Sequence, residues 1–429
     1  MEFSQQLFNL AAKAEAALAD RFADIDRVAF ENTQKVMNAF RNFRVSEAMF
    51  YPTSGYGYDD RGRDTLDQIW AEVMGAEAAF VRHSIVNGTQ ALTIGLFGLL
   101  RPNDILFSIA GKPYDTLDEV IGNSGNPGNG SLRDFGVEYR QADLLPDGQF
   151  DTDSIRTVLS EEGERVKVVF IQRSKGYLNR KTLSVAQIGE IIPLVRSLAP
   201  HAYVVVDNCY GEFTETIEPT AVGADMIIGS LIKNPGGGMA ETGGYIAGTA
   251  RAVELASYRL TSVGCGCEVG ASLGQNKNMF KGLFYAPHTT AQALKTAHFA
   301  AYIFGAEGLG FEVEPKWDEP RHDIIQTVIT RSREGLCAFC RGIQAGSPID
   351  SFVTPEPWAM PGYSDQVIMA AGAFTQGASI ELSADGPLRE PYTAFFQGGL
   401  TYESGKIGIL SAAKEVMEDK SILTATARE

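Results

Sequence analysis

Three short segments, VKVVFIQRS at 166–174, AYVVVDN at 202–208 and ADMIIGS at 224–230, decide the fold. Each is a continuous apolar run rich in β-branched side chains. A helical pattern, AQIGEIIPLVRSLAP at 186–200, separates the first two. Continuous apolar strands that alternate with helices are typical of a parallel sheet covered on both faces. The sequence therefore predicts an α/β fold with a mostly parallel sheet.

The same alternation begins nearer the N-terminus. AAFVRH at 78–83 and DILFSIA at 104–110 predict strands, and GTQALTIGLFGLL at 88–100 predicts a helix between them. This helix is entered at a glycine directly after a strand, as in many α/β folds. The alternation extends the predicted sheet well beyond the first three segments.

The pattern differs at the two ends of the chain. Residues 3–45 have apolar positions at three- and four-residue spacing, which predicts one or two amphipathic helices. From 289–310 a long helix is predicted, followed by shorter strand-like pieces. We therefore predict three parts: a helical segment at 1–50, a large domain at 51–290 and a smaller α+β domain at 291–429.

Composition limits the classes of function. The 429 residues carry a net charge of −16, and 44% of them are hydrophobic. An acidic surface repels phosphodiester backbones, which argues against a nucleic-acid partner. The N-terminus lacks the basic and apolar regions of a signal peptide, and no segment has about 20 consecutive apolar residues. We expect a cytoplasmic protein that does not bind membranes.

The five cysteines predict neither disulfides nor a metal site. An odd, sparse set in a long chain fits a reducing compartment. Cys337 and Cys340 form a CxxC motif, but inside a predicted helix and without a second pair or nearby histidines. We expect structural cysteines, with metal or redox use as the alternative.

Lys233 is the first candidate for chemistry. It lies in GSLIKNPGGGMAETGGYIAG at 229–248, three residues after Ser230. A solvated charge, a phosphate ligand and a covalent catalyst are all possible roles for such a lysine. The glycines that follow it leave space for a close backbone approach or a bound ring.

Asp207 ends the run YVVVDN, so it is expected at the carboxyl end of a strand, where open α/β sheets bind ligands. Lys233 follows the next strand and should emerge at the same edge of the sheet. A structural ion pair, or a turn aspartate, would explain these positions as well as a shared cofactor does.

A second glycine position, VNGTQAL at 86–92, offers an anion site. Gly88 and Thr89 begin the predicted helix, whose first turn has unpaired N–H groups and the positive end of the helix dipole. Neither a P-loop nor GxGxxG is present. Tyr114 follows the next strand and could stack on an aromatic ring or be an ordinary loop tyrosine.

Pyridoxal phosphate (PLP) accounts for these parts together. Its phosphate needs a helix N-terminus and a hydroxyl, its pyridine nitrogen needs a carboxylate, and its aldehyde needs a lysine. The residues that meet these needs occur in a workable order along the chain: Gly88, Thr89, Tyr114, Asp207, Ser230 and Lys233.

The chain resembles the fold-type I PLP enzymes of cysteine and methionine metabolism, most closely the methionine gamma-lyase-like, or aluminium-resistance, branch. The segments that carry the resemblance are YGYDDRGRDTLDQIWAEVMGAE (56–77), QRSKGY (172–177), VVVDNCYGEFTE (204–215), GSLIKNPGGGMAETGGYIAG (229–248), APHTTAQALK (286–295) and ELSADGPLREPY (381–392). It implies a PLP-binding large domain with a mostly parallel sheet, and a smaller α+β C-terminal domain.

The resemblance also implies roles for the candidate residues. Lys233 would form the Schiff base, and Asp207 would hold the pyridinium nitrogen. Ser230 and the Gly88–Thr89 amides would bind the phosphate, while Tyr114 would cover the ring.

Two further sets of residues follow from the resemblance. Tyr56 or Tyr58, together with Arg61, would complete the phosphate site of a neighbouring subunit, so a homodimer or homotetramer is expected. A solvated turn is the alternative for this loop.

The substrate carboxylate calls for an arginine. Arg389 is the first candidate and Arg173 the second. Each could equally be a salt-bridge arginine. His288 could touch the site, although a histidine at a helix start is the simpler interpretation.

The resulting hypothesis is a PLP-dependent carbon–sulfur lyase that acts on a sulfur-containing amino acid, such as methionine or cystathionine, by Cα deprotonation and β- or γ-elimination. The alternatives are another PLP-dependent reaction, transamination or γ-replacement, and a non-catalytic protein that binds a phosphate ligand.

Overall fold

The computed structural model describes residues 2–360 and 363–418. Two compact units are present. The larger comprises Asn32–Gly176 and Arg180–Phe284, and the smaller comprises Met1–Glu31, Tyr177–Asn179 and Tyr285–Glu429. The first helix is divided between the two units at residue 32.

The helices in chain order are α1 (Gln5–Asn42), α2 (Arg61–Val73), α3 (Gly88–Leu99), α4 (Asp115–Ile121), α5 (Thr152–Glu162), α6 (Val185–Leu198), α7 (Ala250–Leu260), α8 (Asn276–Phe304), α9 (Arg333–Gly346) and α10 (Tyr402–Glu418). The strands are β1 (Ala78–Arg82), β2 (Ile105–Ser108), β3 (Glu138–Gln141), β4 (Val166–Gln172), β5 (Tyr203–Asp207), β6 (Met226–Ser230), β7 (Gly244–Gly248), β8 (Glu312–Glu314), β9 (Ile325–Ile329), β10 (Trp358–Ala359), β11 (Gln366–Ala370), β12 (Leu382–Pro387) and β13 (Thr393–Gly398). Within residues 2–360 and 363–418, no helix is long and apolar enough to cross a membrane.

The larger unit is built on a seven-stranded sheet in the order β1–β7–β6–β5–β4–β2–β3. Strands β6, β5, β4, β2 and β3 are parallel neighbours, whereas β7 is antiparallel to both β6 and β1. The exception has a local cause, because the turn-rich segment 231–243 connects β6 to β7 without a crossover helix. The predicted α/β fold with a mostly parallel sheet is therefore confirmed.

Helix α3 packs closely on this sheet, and this packing determines the position of its first turn. A Cβ atom at Gly95 would lie 2.5 Å from Ile228 Cδ1, and one at Gly98 would lie 2.7 Å from Ala256 Cα. Glycine at these two positions lets α3 approach both β6 and α7. The apolar residues of β4, β5 and β6 are almost entirely buried beneath it, each contributing about 1.5–3 kcal/mol of transfer free energy.

The smaller unit contains a six-stranded sheet in the order β10–β11–β12–β13–β9–β8, antiparallel throughout. Its core contains residues of α9 and α10 and also the apolar face of the start of α1: Leu7, Ala11, Ala14 and Leu18. These four side chains belong to the core of this unit, although the sequence pattern predicts a separate segment at 1–50.

Helix α8 begins at Asn276, well before the predicted start at 289, and it contains Pro287. A proline favours a helix start in a sequence pattern, but here the helix continues through it. His288 therefore lies within a helix and is exposed rather than at a helix start.

Candidate active site

Polar residues end the central strands of the larger unit at one edge of the sheet. Gln172 at the end of β4 is paired with Asp207 at the end of β5, and Asp207 lies opposite Ile228 of β6. Ser230 ends β6 two residues later. All three polar side chains are buried, with exposed fractions of 2%, 5% and 0%. The sheet thus brings an amide, a carboxylate and a hydroxyl together at its carboxyl edge.

The first turn of α3 lies against this edge. A Cβ atom at Gly88 would be 3.5 Å from both Cys209 Sγ and Ser230 Cβ. The Asn87 side chain caps the helix by accepting a hydrogen bond from Gln90 N at 2.8 Å. A twelve-residue helix that begins beside a buried serine hydroxyl provides amide donors and a dipole suited to a phosphate.

Tyr114 and Thr89 are joined to the same edge. The Thr89 and Thr116 hydroxyls are 2.7 Å apart, which links the starts of α3 and α4. Tyr114 precedes α4, and its N–H donates to Gln172 Oε1. Its half-buried ring lies 3.0 Å from the position of a Cβ atom at Gly176. The predicted stacking tyrosine is thus next to the ends of β4 and β5.

Asp207 carries a buried carboxyl group whose Oδ1 accepts a hydrogen bond from Cys209 N at 3.1 Å. Burial raises the pKa of Asp207, while the nearby positive charges of Lys233 and Arg180 act in the opposite direction. A buried carboxylate requires such compensation. A protonated pyridine nitrogen would provide further positive charge.

Lys233 lies directly after β6, with Nζ 4.1 Å from the centroid of the Tyr210 ring. Burial alone would lower its pKa. The neighbouring acidic groups of Cys209, Tyr210, Asp207 and Glu212 outweigh that effect, so the pKa lies above its ordinary value. The amine is therefore an ammonium group that rests on an aromatic face beside a carboxylate.

The backbone around Lys233 is fixed by Asn234. Its side-chain amide donates to Tyr210 O at 2.9 Å and to Glu212 O at 3.0 Å. These two bonds connect the lysine turn to residues 207–218, which we call the 207–218 loop. Lys233 is thereby held against the segment that contains Asp207.

The glycines after Lys233 have a local structural role. A Cβ atom at Gly236 would lie 1.6 Å from Leu231 O, which no side chain tolerates. Gly237 and Gly238 have φ angles of 57° and 71°, a region that glycine adopts readily. The tight turn accounts for these glycines by a close backbone approach, which is one of the two explanations that the sequence offers; the other is space for a bound ring.

Arg173 is fully buried and its guanidinium group is engaged by the 207–218 loop. It donates to Asn208 Oδ1 and Gly211 O, both at 2.9 Å, and it forms ion pairs with Glu215 and Glu218. The guanidinium group thus organises the loop, and its predicted contact with a substrate carboxylate stays a prediction.

Arg389 belongs to the smaller unit, where it is exposed and forms an ion pair with Asp365 at 3.1 Å. Its predicted role as the first candidate for the substrate carboxylate stays a prediction.

The loop that precedes α2 presents its aromatic side chains to solvent. Tyr56 and Tyr58 are 76% and 61% exposed, and their ring centroids are 5.6 Å apart. Arg61 is exposed at the start of α2, and the Asp60 side chain caps that helix. These side chains are free to meet another subunit, and their contribution to its phosphate site stays a prediction.

Sequence reasoning missed Gln172, Tyr210, Glu212 and Arg180. Gln172 had the same signal as Asp207, a polar residue at the end of an apolar strand. Tyr210 has a φ angle of 70°, a conformation unusual for tyrosine, so no pattern indicates that the loop turns back over Lys233.

The fold is that of the fold-type I PLP-dependent enzymes. A lysine, a buried carboxylate and a helix N-terminus lie at one edge of its sheet. The chain belongs to the methionine gamma-lyase family, whose model matches residues 7–417.

Three relatives illustrate the range of similarity. The chain is 50% identical to the uncharacterized protein YnbB of Bacillus subtilis over 96% of this chain and 97% of that protein. It is also 50% identical to a carbon–sulfur lyase involved in aluminum resistance from Clostridium novyi, with a TM-score of 0.92 and 96% of each chain covered. CalE6, a methionine gamma lyase from Micromonospora echinospora, shares the fold at 19% identity, with a TM-score of 0.55 and coverage of 83% and 86%.

Proposed function

We propose that the protein is a PLP-dependent carbon–sulfur lyase that acts on a sulfur-containing amino acid. The observation that carries the proposal is the convergence of Lys233, Asp207, Ser230 and the first turn of α3 at one edge of the sheet. Membership of the methionine gamma-lyase family supports the same reaction class.

The residues at this edge fit PLP by their chemistry. The cofactor has an anionic phosphate, a ring nitrogen that must stay protonated and an aldehyde. The α3 N-terminus and the buried Ser230 hydroxyl suit the phosphate, the buried Asp207 carboxylate suits the protonated nitrogen, and the Lys233 amine suits the aldehyde. Each functional group of the cofactor thus has a partner of matching chemistry in this chain.

Bound at this edge, PLP would supply an electron sink for the pair left at Cα when a proton departs. The remaining chemistry belongs to the chain. Lys233 Nζ removes the Cα proton once the amine is neutral, and it returns a proton later. Asp207 keeps a proton on the pyridine nitrogen.

The substrate would be a sulfur amino acid whose thiol or thiolate leaves from Cβ or Cγ. The relative from Clostridium novyi is described as a carbon–sulfur lyase, which favours this leaving group. We further propose that Arg389 binds the substrate carboxylate. Tyr58, or Tyr56, and Arg61 would serve the site of a second copy of the chain in a cytoplasmic homodimer or homotetramer.

The test is turnover by the PLP-loaded protein with methionine, cystathionine and cysteine, each supplied without an amino acceptor. Carbon–sulfur lysis predicts keto acid, ammonia and thiol in equal amounts, with hydrogen sulfide in place of the thiol for cysteine. The keto acid identifies the cleaved carbon. Lys233→Ala is the control and should release none of them. Keto acid formed only when an acceptor is present would contradict lysis and support transamination. PLP binding without any turnover would support the non-catalytic alternative.

A further inference from the structure

A buried acid beside Lys233 has no part in the proposed function. Glu212 lies in the 207–218 loop with an exposed fraction of 0%. Its Oε1 accepts a hydrogen bond from the Tyr245 hydroxyl at 2.8 Å, whereas Oε2 has no hydrogen-bond partner among the described residues. An ionised carboxylate with so few donors is costly to bury. The geometry therefore favours the protonated acid.

The carboxyl group is confined to this position. A Cβ atom at Gly229 would lie 2.4 Å from Glu212 Oε1 and 2.5 Å from Tyr245 Cε1, so both side chains pack directly across the backbone of β6. The backbone oxygen of Glu212 also accepts the hydrogen bond from Asn234. Contacts with residue 229 before Lys233 and with Asn234 after it therefore hold Glu212 in place beside the lysine turn.

A second acid of the loop, Glu218, is paired with the guanidinium group of Arg173. Glu218 is 3.6 Å from the Arg173 guanidinium group and also accepts hydrogen bonds from Asn208 Nδ2 at 2.9 Å and Phe213 N at 3.0 Å. Glu218 therefore has the cation and the hydrogen-bond donors that Glu212 lacks. Titratable and charged groups surround Glu212 on several elements. Within the 207–218 loop they are Asp207, Cys209 and Glu218. The others are Lys233 after β6, Tyr245 on β7 and Arg173 after β4, with Lys35 of α1 near Glu218.

We propose that Glu212 is a positioning residue that adjusts the charge state of Lys233. As a neutral acid it leaves one anion fewer beside the amine than it does as a carboxylate, so Lys233 releases its proton more readily. As a carboxylate in alkali it adds a second anion and holds the proton on Lys233. The proton lost by Glu212 passes to solvent base.

The electrostatics agree with this geometry. Burial raises the pKa of Glu212 to about 8, and the charge of Glu218 acts in the same direction. The hydrogen bond from the backbone N–H of Glu212 itself, the hydrogen bond from Tyr245 and the charge of Lys233 act in the opposite direction. Glu212 therefore holds its proton at neutral pH and loses it in mild alkali. Only the consequence for catalysis depends on the proposed function.

The proton on Glu212 can be observed by infrared spectroscopy of the cofactor-free protein in heavy water. The carbonyl stretch of a protonated carboxylic acid should disappear near pH 8 in the wild type. Asp385 is another buried acid with a raised pKa, so the wild type minus Glu212→Gln difference isolates the band. Exposed Glu241 provides the matched control, and Glu241→Gln should retain the band. A wild type without the transition would overturn the inference.

The charge of Lys233 is measured by competitive labelling of the same cofactor-free protein with an amine reagent, followed by mass spectrometry. At pH 9 the labelling rate of Lys233 should be at least about tenfold higher in Glu212→Gln, since one adjacent charge shifts a pKa by about one unit or more. The rates should converge at neutral pH, where Glu212 is itself neutral. Equal rates at both pH values would overturn the inference.

Tyr245→Phe provides an independent variant should Glu212→Gln fold poorly. Its missing hydroxyl no longer stabilises the carboxylate, so the infrared transition should move to higher pH. An unchanged transition would contradict the inference. None of these measurements requires lyase turnover, so a failure of the proposed function and a failure of this inference give different results.

Discussion

Replacement of Arg173 tests whether this arginine builds the loop or binds substrate. Arg173→Met keeps most of the side-chain volume but removes the guanidinium group. The change would remove the cation that pairs with Glu215 and Glu218 and the donor that contacts Asn208 Oδ1 and Gly211 O.

The expected loss of stability follows from burial. The exposed fraction of Arg173 is 0%, and breaking a buried ion pair by removing one partner costs about 3–5 kcal/mol. The matched control is Arg389→Met, because Arg389 forms an exposed ion pair whose loss costs about 0–1 kcal/mol. Arg389→Met should instead raise the KM for substrates with a free α-carboxylate.

Urea denaturation of both variants, analysed alongside steady-state kinetics, measures the two effects. Arg173→Met should lower the free energy of unfolding and weaken PLP binding, since the 207–218 loop carries Asp207. If Arg173→Met unfolds like the wild type and changes only the KM, Arg173 is a substrate ligand and the structural reasoning is refuted.

Three further predictions concern the sheet edge and the loop. Gly229→Ala should cost about 1–3 kcal/mol in urea denaturation, because the new methyl group would lie 2.4 Å from Glu212 Oε1; unchanged stability would show that the two side chains move apart easily. Glu212 keeps its proton in the folded chain, whereas the carboxyl group of the unfolded chain loses it near pH 4.5. The contribution of Glu212 to stability should therefore fall between pH 4.5 and about 8 and stay constant above pH 8. A difference in unfolding free energy between the wild type and Glu212→Gln that does not change with pH would contradict this. Mixed oligomers of Lys233→Ala and Arg61→Ala chains should recover activity that neither variant has alone. The reason is that one site in each hybrid pair combines an intact Lys233 with the Arg61 of the neighbouring chain. No recovery in activity assays of the mixture would indicate that Arg61 acts within its own chain.

The sequence predicts the sheet and the main site residues because each has a local signal. The apolar runs that form β4, β5 and β6 are continuous, and Asp207 and Ser230 end two of them. Gly88 begins α3 after a strand, as the pattern indicates. Strand ends and helix starts are properties of short segments, so a single sequence contains them.

The arrangement around Lys233 depends instead on contacts between distant segments. All of α6 and β5 lies between Arg173 and Glu218 in the chain, and the pairing of these two residues shapes the loop. The positive φ angles of Tyr210 and Phe213 are imposed by this packing rather than by residue type. The burial of Glu212 depends on the same contacts, so the sequence around it contains no pattern that predicts it.

Covalent attachment of PLP to Lys233 is the central requirement of the proposed function, and mass spectrometry measures it directly. The protein is loaded with PLP, the lysine–cofactor bond is fixed by borohydride reduction, and the proteolytic peptides are sequenced. We predict a pyridoxyl group on Lys233 and no borohydride-fixed pyridoxyl group in Lys233→Ala. A label on another lysine, or a Lys233→Ala variant that retains the fixed label, would contradict this prediction.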